Sequence, residues 1–408
     1  MARKMKDSGI EWIGEIPEGW ETQKLKYYAT VTSGEILSRD EYDFSGDIPV
    51  IGSNGKIGTT YKSNNHSEVI TTGRVGTIGT AQIVQDAWIT DNALIIKSHS
   101  INRPFLTYVI PNFDFKFMLS GTAQPLITAT KLKNQYIPVP SSEVQDKLVQ
   151  YLNTQIFNLS HLISQACSSI ELYKKLKQVV ITQAVTKGVR GEREMKDSGV
   201  EWIGEIPKEW GRTKIKMIAS FFNGDRTSRY PQPSDFVDAG VAFLTSRNID
   251  SDEVDLSETK YITDDKYKSL SGAKIQIDDI IFCLRGSVGK CAINRTLSCG
   301  TVASSLATIR PKDIYPKYLL YFLLSNIAST QTTIFMNGIC AANLSAENVG
   351  NYYITLPISA EQKEIANYLD AKCAEIDKLI AKKEQLVKEL ESYKKSLIYE
   401  VVTGKREV

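Results

Sequence analysis

The strongest constraint on this chain is a sixteen-residue stretch that occurs twice. Residues 5–20 read MKDSGIEWIGEIPEGW and residues 195–210 read MKDSGVEWIGEIPKEW, which is an offset of 190 positions. Internal repetition has to be interpreted before any local pattern, because it defines the unit that folds. We therefore expect one module that is present in two copies.

A second repeated stretch closes each copy. Residues 145–186 and 362–403 align without a gap at an offset of 217 positions, whereas the segments between the repeated ends hardly match. Constant ends with divergent middles indicate two related units adapted to different targets. The repeats predict a first globular domain over residues 1–142, a helical spacer over 143–188, a second domain over 189–358 and a second spacer over 359–408.

The two spacers carry apolar residues in a heptad pattern. The predicted rows of the second spacer are Leu369, Ile376, Leu390 and Leu397, and Ile365, Leu379, Leu386 and Tyr393. The matching rows of the first spacer are Leu152, Leu159, Tyr173 and Val180, and Leu148, Leu162 and Leu176. Alternating spacings of three and four are typical of coiled coils. They predict two helices, each on the order of 60 Å long, that pair with each other.

The segments between the repeats have the pattern of strands and turns. Residues 47–58 combine an apolar run with a Ser-Asn-Gly turn, which predicts a hairpin. Further predicted strands lie at residues 69–70, 81–84, 88–97, 241–244, 261–262, 275–284 and 302–309, with short helices at 105–108 and 317–324. The predicted fold class is α+β: two β-rich mixed domains joined by two long antiparallel helices that form a coiled coil, with an internal pseudo-two-fold repeat.

Each copy opens with two tryptophans around a Gly-Glu-Ile-Pro segment, as in Trp12 and Trp20. Proline biases the preceding residue towards extended geometry, so this segment cannot lie inside a helix. Two interpretations stay open: a loop that pins the tryptophans against a core, or a docking surface for a partner. Beyond the first spacer, Gly188 is suited to end the helix in a left-handed conformation.

Composition places the chain among ordinary globular proteins, with 24% charged and 42% apolar residues and a net charge of +2. Any nucleic-acid site must therefore be a local patch. The basic N-terminus has no apolar segment behind it, and no apolar run approaches the roughly 18 residues of a membrane span. We therefore expect a cytoplasmic protein.

The cysteines do not have the spacing of metal ligands. The chain contains Cys167, Cys283, Cys291, Cys299, Cys340 and Cys373, without a CxxC pair. We expect reduced, mostly buried thiols and no metal.

Motifs of common enzyme classes are missing. Residues 286–290 read GSVGK but lack the leading glycine of a phosphate-binding loop, and Cys291 stands where serine or threonine belongs. The Asn/Asp-Pro-Pro-Tyr/Phe string of adenine methyltransferases does not occur, and three scattered histidines are too few for a triad. The chain is predicted to have no catalytic residue and to bind no cofactor of its own.

Polar and glycine-rich loops in the divergent segments are the candidates for binding. Residues 73–79 (GRVGTIG) and 284–289 (LRGSVG) occupy equivalent places in the two copies, each just after a predicted strand. Each carries an arginine, Arg74 or Arg285, that could contact a phosphate or a guanine edge. Other polar loops could do the same. The candidate DNA-contacting residues are Ser53, Asn54, Lys56, Arg74, Thr77, Arg226, Arg229, Arg247, Asn248, Arg285 and Ser287. For each, an ordinary solvated turn is the alternative.

With these motifs in view, the chain resembles the specificity subunit of type I restriction–modification systems over its whole length. The resemblance rests on the duplicated Gly-Ile/Val-Glu-Trp-Ile-Gly-Glu-Ile-Pro opening, the Gln-x-x-Leu/Ile-x-x-Tyr-Leu start of each spacer, Gly-Asp-Arg-x-x-Arg-Tyr-Pro at 224–231 and Arg-Gly-Ser-Val-Gly at 285–289.

The resemblance implies that the two divergent segments are target recognition domains that read the halves of a split, asymmetric DNA site. It implies as partners double-stranded DNA, two modification subunits that methylate adenine N6 with S-adenosylmethionine, and restriction subunits that can join the complex. Two other readings remain: a coiled-coil scaffold with two protein-binding domains, and a nuclease with an unrecognised carboxylate site.

Overall fold

The computed structural model of the chain describes residues 3–43, 45–119, 126–336 and 344–408. Packing divides it into two compact units. Unit 1 consists of Met1–Cys167 and Gln385–Val408, and unit 2 of Ser168–Glu384. Each unit therefore contains the beginning of one long helix and the end of the other.

The strands before the second repeat are β1 (Met5–Asp7), β2 (Glu15–Pro17), β3 (Glu21–Lys24), β4 (Ala29–Ser33), β5 (Ile48–Gly52), β6 (Gly55–Thr60), β7 (Val69–Gly73), β8 (Gln82–Val84), β9 (Trp88–Ile89), β10 (Ala93–Ser98) and β11 (Tyr136–Val139). The later strands are β12 (Met195–Asp197), β13 (Glu205–Pro207), β14 (Gly211–Lys214), β15 (Ala219–Asn223), β16 (Phe236–Val237), β17 (Val241–Leu244), β18 (Lys260–Ile262), β19 (Ile280–Cys283), β20 (Cys291–Ile293), β21 (Gly300–Val302), β22 (Leu306–Pro311) and β23 (Tyr353–Leu356). The α-helices are α1 (Arg103–Val109), α2 (Ala129–Lys133), α3 (Ser142–Lys187), α4 (Asp264–Ser269), α5 (Pro316–Leu324), α6 (Asn326–Phe335), α7 (Ala346–Gly350) and α8 (Ser359–Val402).

The two units share one sheet plan. Unit 1 has a sheet of order β4-β10-β7-β8 and unit 2 a sheet of order β15-β22-β19-β20. A second sheet in each unit contains one parallel pair, β5 with β9 in unit 1 and β17 with β21 in unit 2. The predicted duplication therefore extends to the divergent segments, where the sequences hardly match.

Each divergent segment enters and leaves through a pair of antiparallel strands. In unit 1, β3 pairs with β11, with Lys24 opposite Tyr136. In unit 2, β14 pairs with β23, with Lys214 opposite Tyr353. The divergent sheets are thus inserts held between two strands whose pairing is the same in both copies.

Both predicted spacers are long helices, α3 and α8. The core of unit 1 takes Leu152 and Leu159 from α3 and Leu397 and Val401 from α8. The core of unit 2 takes Leu369 from α8 and Ile181, Ala184 and Val185 from α3. The end of each helix therefore packs in the unit where the other helix begins, so the core of each unit contains parts of both repeats.

Of the two predicted heptad rows on each helix, one lies on the covered side, and the other lies one residue away from the second covered row. Leu152, Leu159, Leu369, Ile376 and Leu397 are buried, with Tyr173 and Leu390 half-buried. The second covered row consists of Ile156, Ile163, Ile170, Lys177 and Ala184 on α3, and of Ala366, Cys373, Ile380, Val387, Lys394 and Val401 on α8.

The predicted second row is instead largely open to solvent. Leu148 and Ile365 are buried in the unit cores, whereas Leu162, Leu176, Leu379, Leu386 and Tyr393 are 38% to 48% exposed. The sequence could not distinguish these rows, because three neighbouring rows of each helix contain apolar residues. Spacings of three and four residues therefore fit more than one choice of rows. Each helix is left with an uncovered apolar row.

Polar contacts tie the helices together within each unit. In unit 2, Lys177 Nζ lies 2.8 Å from Asp377 Oδ2 and 3.6 Å from Asp252 Oδ2. In unit 1, Lys394 Nζ donates to Ser160 Oγ at 2.9 Å. Burial alone would lower the pKa of Lys177, but the neighbouring carboxylates outweigh burial and raise it. Lys177 is therefore a charged residue within the covered row.

The repeated opening loops pin tryptophans in the cores, which favours the first of the two interpretations. Trp20 and Trp210 are buried, and each follows a short hairpin, β1–β2 or β12–β13. In unit 2 the Trp210 Nε1–H donates to Glu361 Oε2 at 3.0 Å, and Arg193 Nη2 donates to Glu361 Oε1 at 2.7 Å. Glu361 is 1% exposed and lies in the first turn of α8.

The first long helix ends at Gly188, as the sequence predicts, and the second ends in the same way at Gly404. Gly188 and Gly404 have φ values of +78° and +73°, and their N–H groups donate to Ala184 O and Val401 O. The hairpin at residues 47–58, the short helices and the strands at 69–70, 81–84, 241–244 and 261–262 are likewise present.

Three predicted strands are shorter or interrupted. Residues 88–97 and 302–309 each form two strands, because turns closed by Ala93 N to Thr90 O and Leu306 N to Ala303 O break the apolar runs. Residues 275–279 precede β19 rather than belonging to it, since Asp278 has a left-handed φ of +68°.

We expect the Glu361 side chain to be a large contributor to the stability of unit 2. Glu361→Ala removes the acceptor of the buried Trp210 indole N–H and the buried carboxylate partner of Arg193, which keeps only Glu209 and a main-chain carbonyl, and this costs about 3 kcal/mol. Glu364→Ala, on the same helix, removes an exposed ion pair with Arg190 and costs less than about 1 kcal/mol. Urea unfolding of the full chain, followed by tryptophan fluorescence, measures both. Equal effects would contradict this account.

The covered row can be distinguished from the predicted row by truncation. Ile170 is 8% exposed and Leu176 is 47% exposed, and both belong to the part of α3 in unit 2. Ile170→Ala is expected to lower the unfolding free energy by about 2–3 kcal/mol, and Leu176→Ala by less than about 1 kcal/mol. The reverse order would support the heptad assignment made from sequence.

Candidate nucleic-acid interface

In both units the same kind of glycine turn follows the third strand in the order of the four-stranded sheet described above, which is β7 in unit 1 and β19 in unit 2. In unit 1 the turn joins β7 to β8 and includes Gly76 and Gly79, with φ values of +76° and +83°. In unit 2 it joins β19 to β20 and includes Gly286 and Gly289, with φ values of +76° and +90°. Such values favour glycine. The turns therefore align with Thr77 opposite Ser287, and both of these residues are exposed.

This alignment corrects the expectation that Arg74 and Arg285 occupy equivalent places. Arg74 N donates to Asn92 O and Leu284 N donates to Ser305 O, so Arg74 matches Leu284, and Arg285 matches Val75. A shift of one residue along extended backbone directs a side chain to the opposite side. The sequence comparison missed it because both arginines stand next to a glycine turn.

The two arginines consequently differ in their surroundings. Arg74 Nη1 donates to Asp91 O at 3.3 Å, and its Nε is buried without a partner among the described residues. Arg285 is exposed and makes no hydrogen bond or ion pair with the part of the chain that the structure describes. Among the described residues Arg285 therefore has no internal partner, whereas Arg74 bonds to the main chain and mainly supports the turn.

Three other candidates of unit 1 come together at a hairpin tip. Ser53 and Asn54 form the two-residue connection between β5 and β6, and Lys56 follows at the start of β6. Thr80 Oγ1 donates to Ser53 O at 3.0 Å, which holds the hairpin against the glycine turn that carries Thr77. Asn54 and Lys56 are exposed. This edge offers hydrogen-bonding groups and one cation to a ligand.

In unit 2 the corresponding edge is more strongly cationic. Arg226 Nε donates to Ser304 O at 3.2 Å, next to Ser305, whose carbonyl accepts from Leu284 N. The Arg226 side chain and the backbone next to Arg285 therefore both contact the turn between β21 and β22. Ser287 lies in the adjoining glycine turn. Partial burial and then the charge of Arg285 lower the pKa of Arg226.

A buried carboxylate holds the Arg226 segment in place. Asp225 Oδ1 accepts from the N–H and hydroxyl of Thr227 at 2.8 and 2.6 Å, and Oδ2 accepts from the N–H and hydroxyl of Ser271 at 2.8 and 3.1 Å. These bonds, the Thr227 hydroxyl first, hold the pKa of Asp225 far below its usual range. Asp225 is a structural anchor that the candidate set missed, although Thr two residues after Asp signals such a turn.

Of the remaining candidates of unit 2, Arg229 is tied to the Arg226 segment, because its N–H donates to Thr227 Oγ1 at 3.2 Å, whereas no described contact links Arg247 or Asn248 to this cationic edge. Arg229 Nη1 donates to Ser269 O at 2.9 Å. Arg247 is exposed and 3.9 Å from Glu258. Asn248, 1% exposed, donates to Asp255 O and Thr259 Oγ1 and accepts from Thr245 N. Its amide is fully used inside the fold, so a DNA-contacting role for Asn248 is wrong.

The thiols offer no metal site in the described part of the chain. Cys283, Cys291 and Cys373 are buried, Cys167 and Cys299 are exposed, and all five are free; Cys340 lies outside the described residues. Burial raises the pKa of Cys283 and of Cys373 to about 11, which disfavours the thiolate that metals bind. Over the described ranges, three or more potential metal ligands do not cluster anywhere, and no helix has the length and apolarity needed to span a bilayer.

Comparison with known proteins gives one family over most of the chain. The family described as the type I restriction modification DNA specificity domain matches residues 17–171 and again residues 207–389. Both copies of the duplicated module are thus recognised separately, in agreement with the two units.

Individual relatives agree with this match. The putative type I restriction enzyme MjaX specificity subunit of Methanocaldococcus jannaschii is 26% identical over 96% of this chain and 95% of its own length. The MjaVIII specificity subunit of the same organism is 24% identical over 78% of this chain and 71% of its own length.

A solved structure shows the same fold. It comes from work on complex assembly and conformational transition of the type I restriction–modification system. It has a TM-score of 0.71 at 15% identity and covers 96% of this chain and 99% of the solved one. The duplicated sheets, the glycine turns and the family match lead to one conclusion: this chain belongs to the family of type I restriction–modification DNA specificity subunits.

Proposed function

We propose that this chain selects the DNA sequence for a type I restriction–modification complex, with unit 1 and unit 2 each reading one half of a split, asymmetric site. The observation that carries the proposal is that both units share a sheet plan and a glycine turn but differ in the side chains next to that turn. The shared sheet plan and glycine turn suit contacts with the DNA backbone, because the backbone is the same for every base sequence. Different side chains suit different base sequences.

The edges of the two units differ in the kind of contact they offer. Unit 1 offers Asn54 and Lys56 on a tight hairpin, and unit 2 offers Arg226 and Arg285. Asparagine is suited to adenine edges, and arginine to guanine edges or phosphates. Two unlike half-sites follow from two unlike edges.

We further propose that α3 and α8 form an antiparallel coiled coil that sets the distance between the half-sites. Support comes from Lys177 with Asp377 and Arg190 with Glu364 in unit 2, and from Lys394 with Ser160 in unit 1. In all three pairs the two residue numbers add to the same value, as expected for one continuous antiparallel pairing. A pseudo-two-fold relation would then present the readers to the duplex in opposite senses, with the half-sites about one helical turn apart.

The uncovered apolar row of each helix suits the seating of modification subunits. Leu162, Leu386 and Tyr393 expose this row in unit 1, and Leu176 and Leu379 expose it in unit 2. Rows of this kind on a folded protein mark interaction surfaces. One apolar surface in each unit fits two modification subunits, one beside each reader.

The chemistry is assigned to the partners. The modification subunits would flip an adenine in each half-site and methylate its N6 with S-adenosylmethionine, and restriction subunits would join the same complex. Base flipping costs a few kcal/mol, which binding by the two readers would offset. This chain contributes recognition and spacing and needs no catalytic residue.

The alternative is a scaffold whose two sheet domains bind proteins, for which the net charge of only +2 is the best argument. The two proposals differ in the response of DNA binding to salt. DNA affinity falls steeply with salt when cations neutralise phosphates.

Base-resolved mapping of methylated adenine in DNA from cells that express this chain with its modification subunits tests the proposed function. We expect a single motif with two unlike half-sites around an unread gap, absent from cells that lack this chain. A stable complex without sequence-specific methylation would support the scaffold instead.

Shortening both helices tests the proposed spacing role. Residues 164–170 and 384–390 are opposite each other if the pairing is continuous, and removing seven residues from each keeps the heptad rows in register. Methylation mapping is expected to give a changed gap between unchanged half-sites. Changed half-sites with the original gap would show that the helices do not set the spacing. Removing residues 164–170 alone, which breaks the pairing, is the control and should abolish methylation.

A further inference from the structure

We propose that Arg226, Arg285 and the glycine turn at residues 286–288 form a binding site for one phosphate of the DNA backbone, and that unit 1 has no counterpart of it. The inference rests on the proposed function. It assigns to unit 2 the electrostatic anchoring of the complex on DNA.

Main-chain contacts bring the Arg226 guanidinium and the backbone next to Arg285 to one turn, and the charge of Arg285 acts on Arg226 there. Arg226 bonds to the carbonyl of Ser304, and the residue before Arg285 bonds to the carbonyl of Ser305. Within the described ranges only Nε of Arg226 donates a hydrogen bond, so its two terminal nitrogens have no partner there. Arginine is suited to phosphate because its donors match two phosphate oxygens at once.

Within the described residues no carboxylate forms an ion pair with either arginine. The nearest acid in sequence, Asp225, directs both oxygens to Thr227 and Ser271. Elsewhere in unit 2, buried or partly buried arginines do have acidic partners, as Arg193 has Glu361 and Arg310 has Asp279. The lowered pKa of Arg226, caused by burial and by Arg285, reflects this lack of an internal counter-charge.

The turn beside Arg285 adds neutral donors. The N–H groups of Gly286, Ser287 and Val288 donate no hydrogen bond to the described part of the chain. A side chain added at Gly286 or Gly289 would meet nothing within 4 Å, so the turn is open. Successive free N–H groups after a left-handed glycine are a common feature of anion sites.

The matching place in unit 1 lacks both cations. Gly34 and Gly224 make the same close approach to the next turn, donating to Ala93 O and Leu306 O. Two residues later, Ile36 stands where unit 2 has Arg226, and it is 76% exposed. Val75 stands where unit 2 has Arg285, and Phe115 packs against Gly79 of the turn.

This difference separates two tasks that a pair of DNA readers must perform. Phosphate contacts supply affinity and position, whereas contacts with base edges supply discrimination. Unit 2 would contribute most of the salt-dependent affinity at this site of the fold. Unit 1 would depend on the shape and hydrogen-bonding pattern of its half-site.

The salt dependence of DNA binding by the complex of this chain with its modification subunits tests the inference. The probe is a duplex that contains the methylated motif. Arg226→Gln with Arg285→Gln is expected to lower the slope of log affinity against log salt concentration by about one. The loss should be the same for duplexes with altered bases in either half-site. Ile36→Gln, the matched change in unit 1, should leave the slope unchanged, and Arg226→Lys with Arg285→Lys should retain most of it.

Neutralising single phosphates of the probe with methylphosphonate identifies the ligand. One position in one half-site should weaken binding of the natural complex and have no further effect on the Gln double variant. If the double variant does not assemble, each single Gln variant should likewise lose the response of DNA binding to the methylphosphonate at that position. An unchanged slope, a loss restricted to one base pair, or additive effects at every phosphate would overturn the phosphate site. If the natural complex shows no salt-dependent binding at all, the proposed function fails with it.

Discussion

The structure depends above all on the burial of two apolar rows on each long helix. An isolated helix of this length would expose those rows to water, and helix propensity alone gives little stability. Here the rows are covered within each unit by the other helix and by the sheet domain, as in the shared core of Leu152, Leu159, Leu397 and Val401. The consequence is that neither copy of the repeat can form its unit alone, because each unit needs the end of the other copy's helix. A duplicated chain that folds in this way forms two sheet domains, each of which depends on both copies of the repeat.

The two units have the same arrangement of strands and turns, whereas the side chains beside the glycine turns differ. Both units have the same sheet order and the same left-handed glycines in the turn. Both also have a pair of strands through which the divergent segment enters and leaves, here called the neck: β3 with β11 in unit 1 and β14 with β23 in unit 2. In this shared arrangement a shift of one residue is enough to direct Arg74 to a main-chain carbonyl and to leave Arg285 without a partner in the described part of the chain. Specificity can therefore change through side chains and connections without disturbing the cores.

Much of the fold could be predicted from the repeats, because periodicity and turn chemistry are local properties. The long helices, the hairpin at Ser53-Asn54 and the helix end at Gly188 are of this kind. The covered helix rows could not be predicted, because Leu162 and Ile163 are neighbours of similar hydrophobicity and the tertiary contact alone decides between them. The same holds for Asn248, whose amide looks like a base reader in sequence but is itself buried and bonds to the Asp255 carbonyl and the Thr259 hydroxyl. The arginine offset was hidden because residues next to a glycine turn align equally well in two registers.

The most direct test of the account is to make both readers the same. Replacing residues 25–135 with residues 215–352 keeps β3 and β11 as the neck and inserts the sheets of unit 2 into unit 1. Methylation would be mapped at base resolution in cells that express this chain with its modification subunits. If two interchangeable readers are related by a pseudo-two-fold, the methylated motif becomes an inverted repeat of the half-site read by unit 2, with an unread gap between the copies. A direct repeat, or a motif that keeps the original first half-site, would contradict the account.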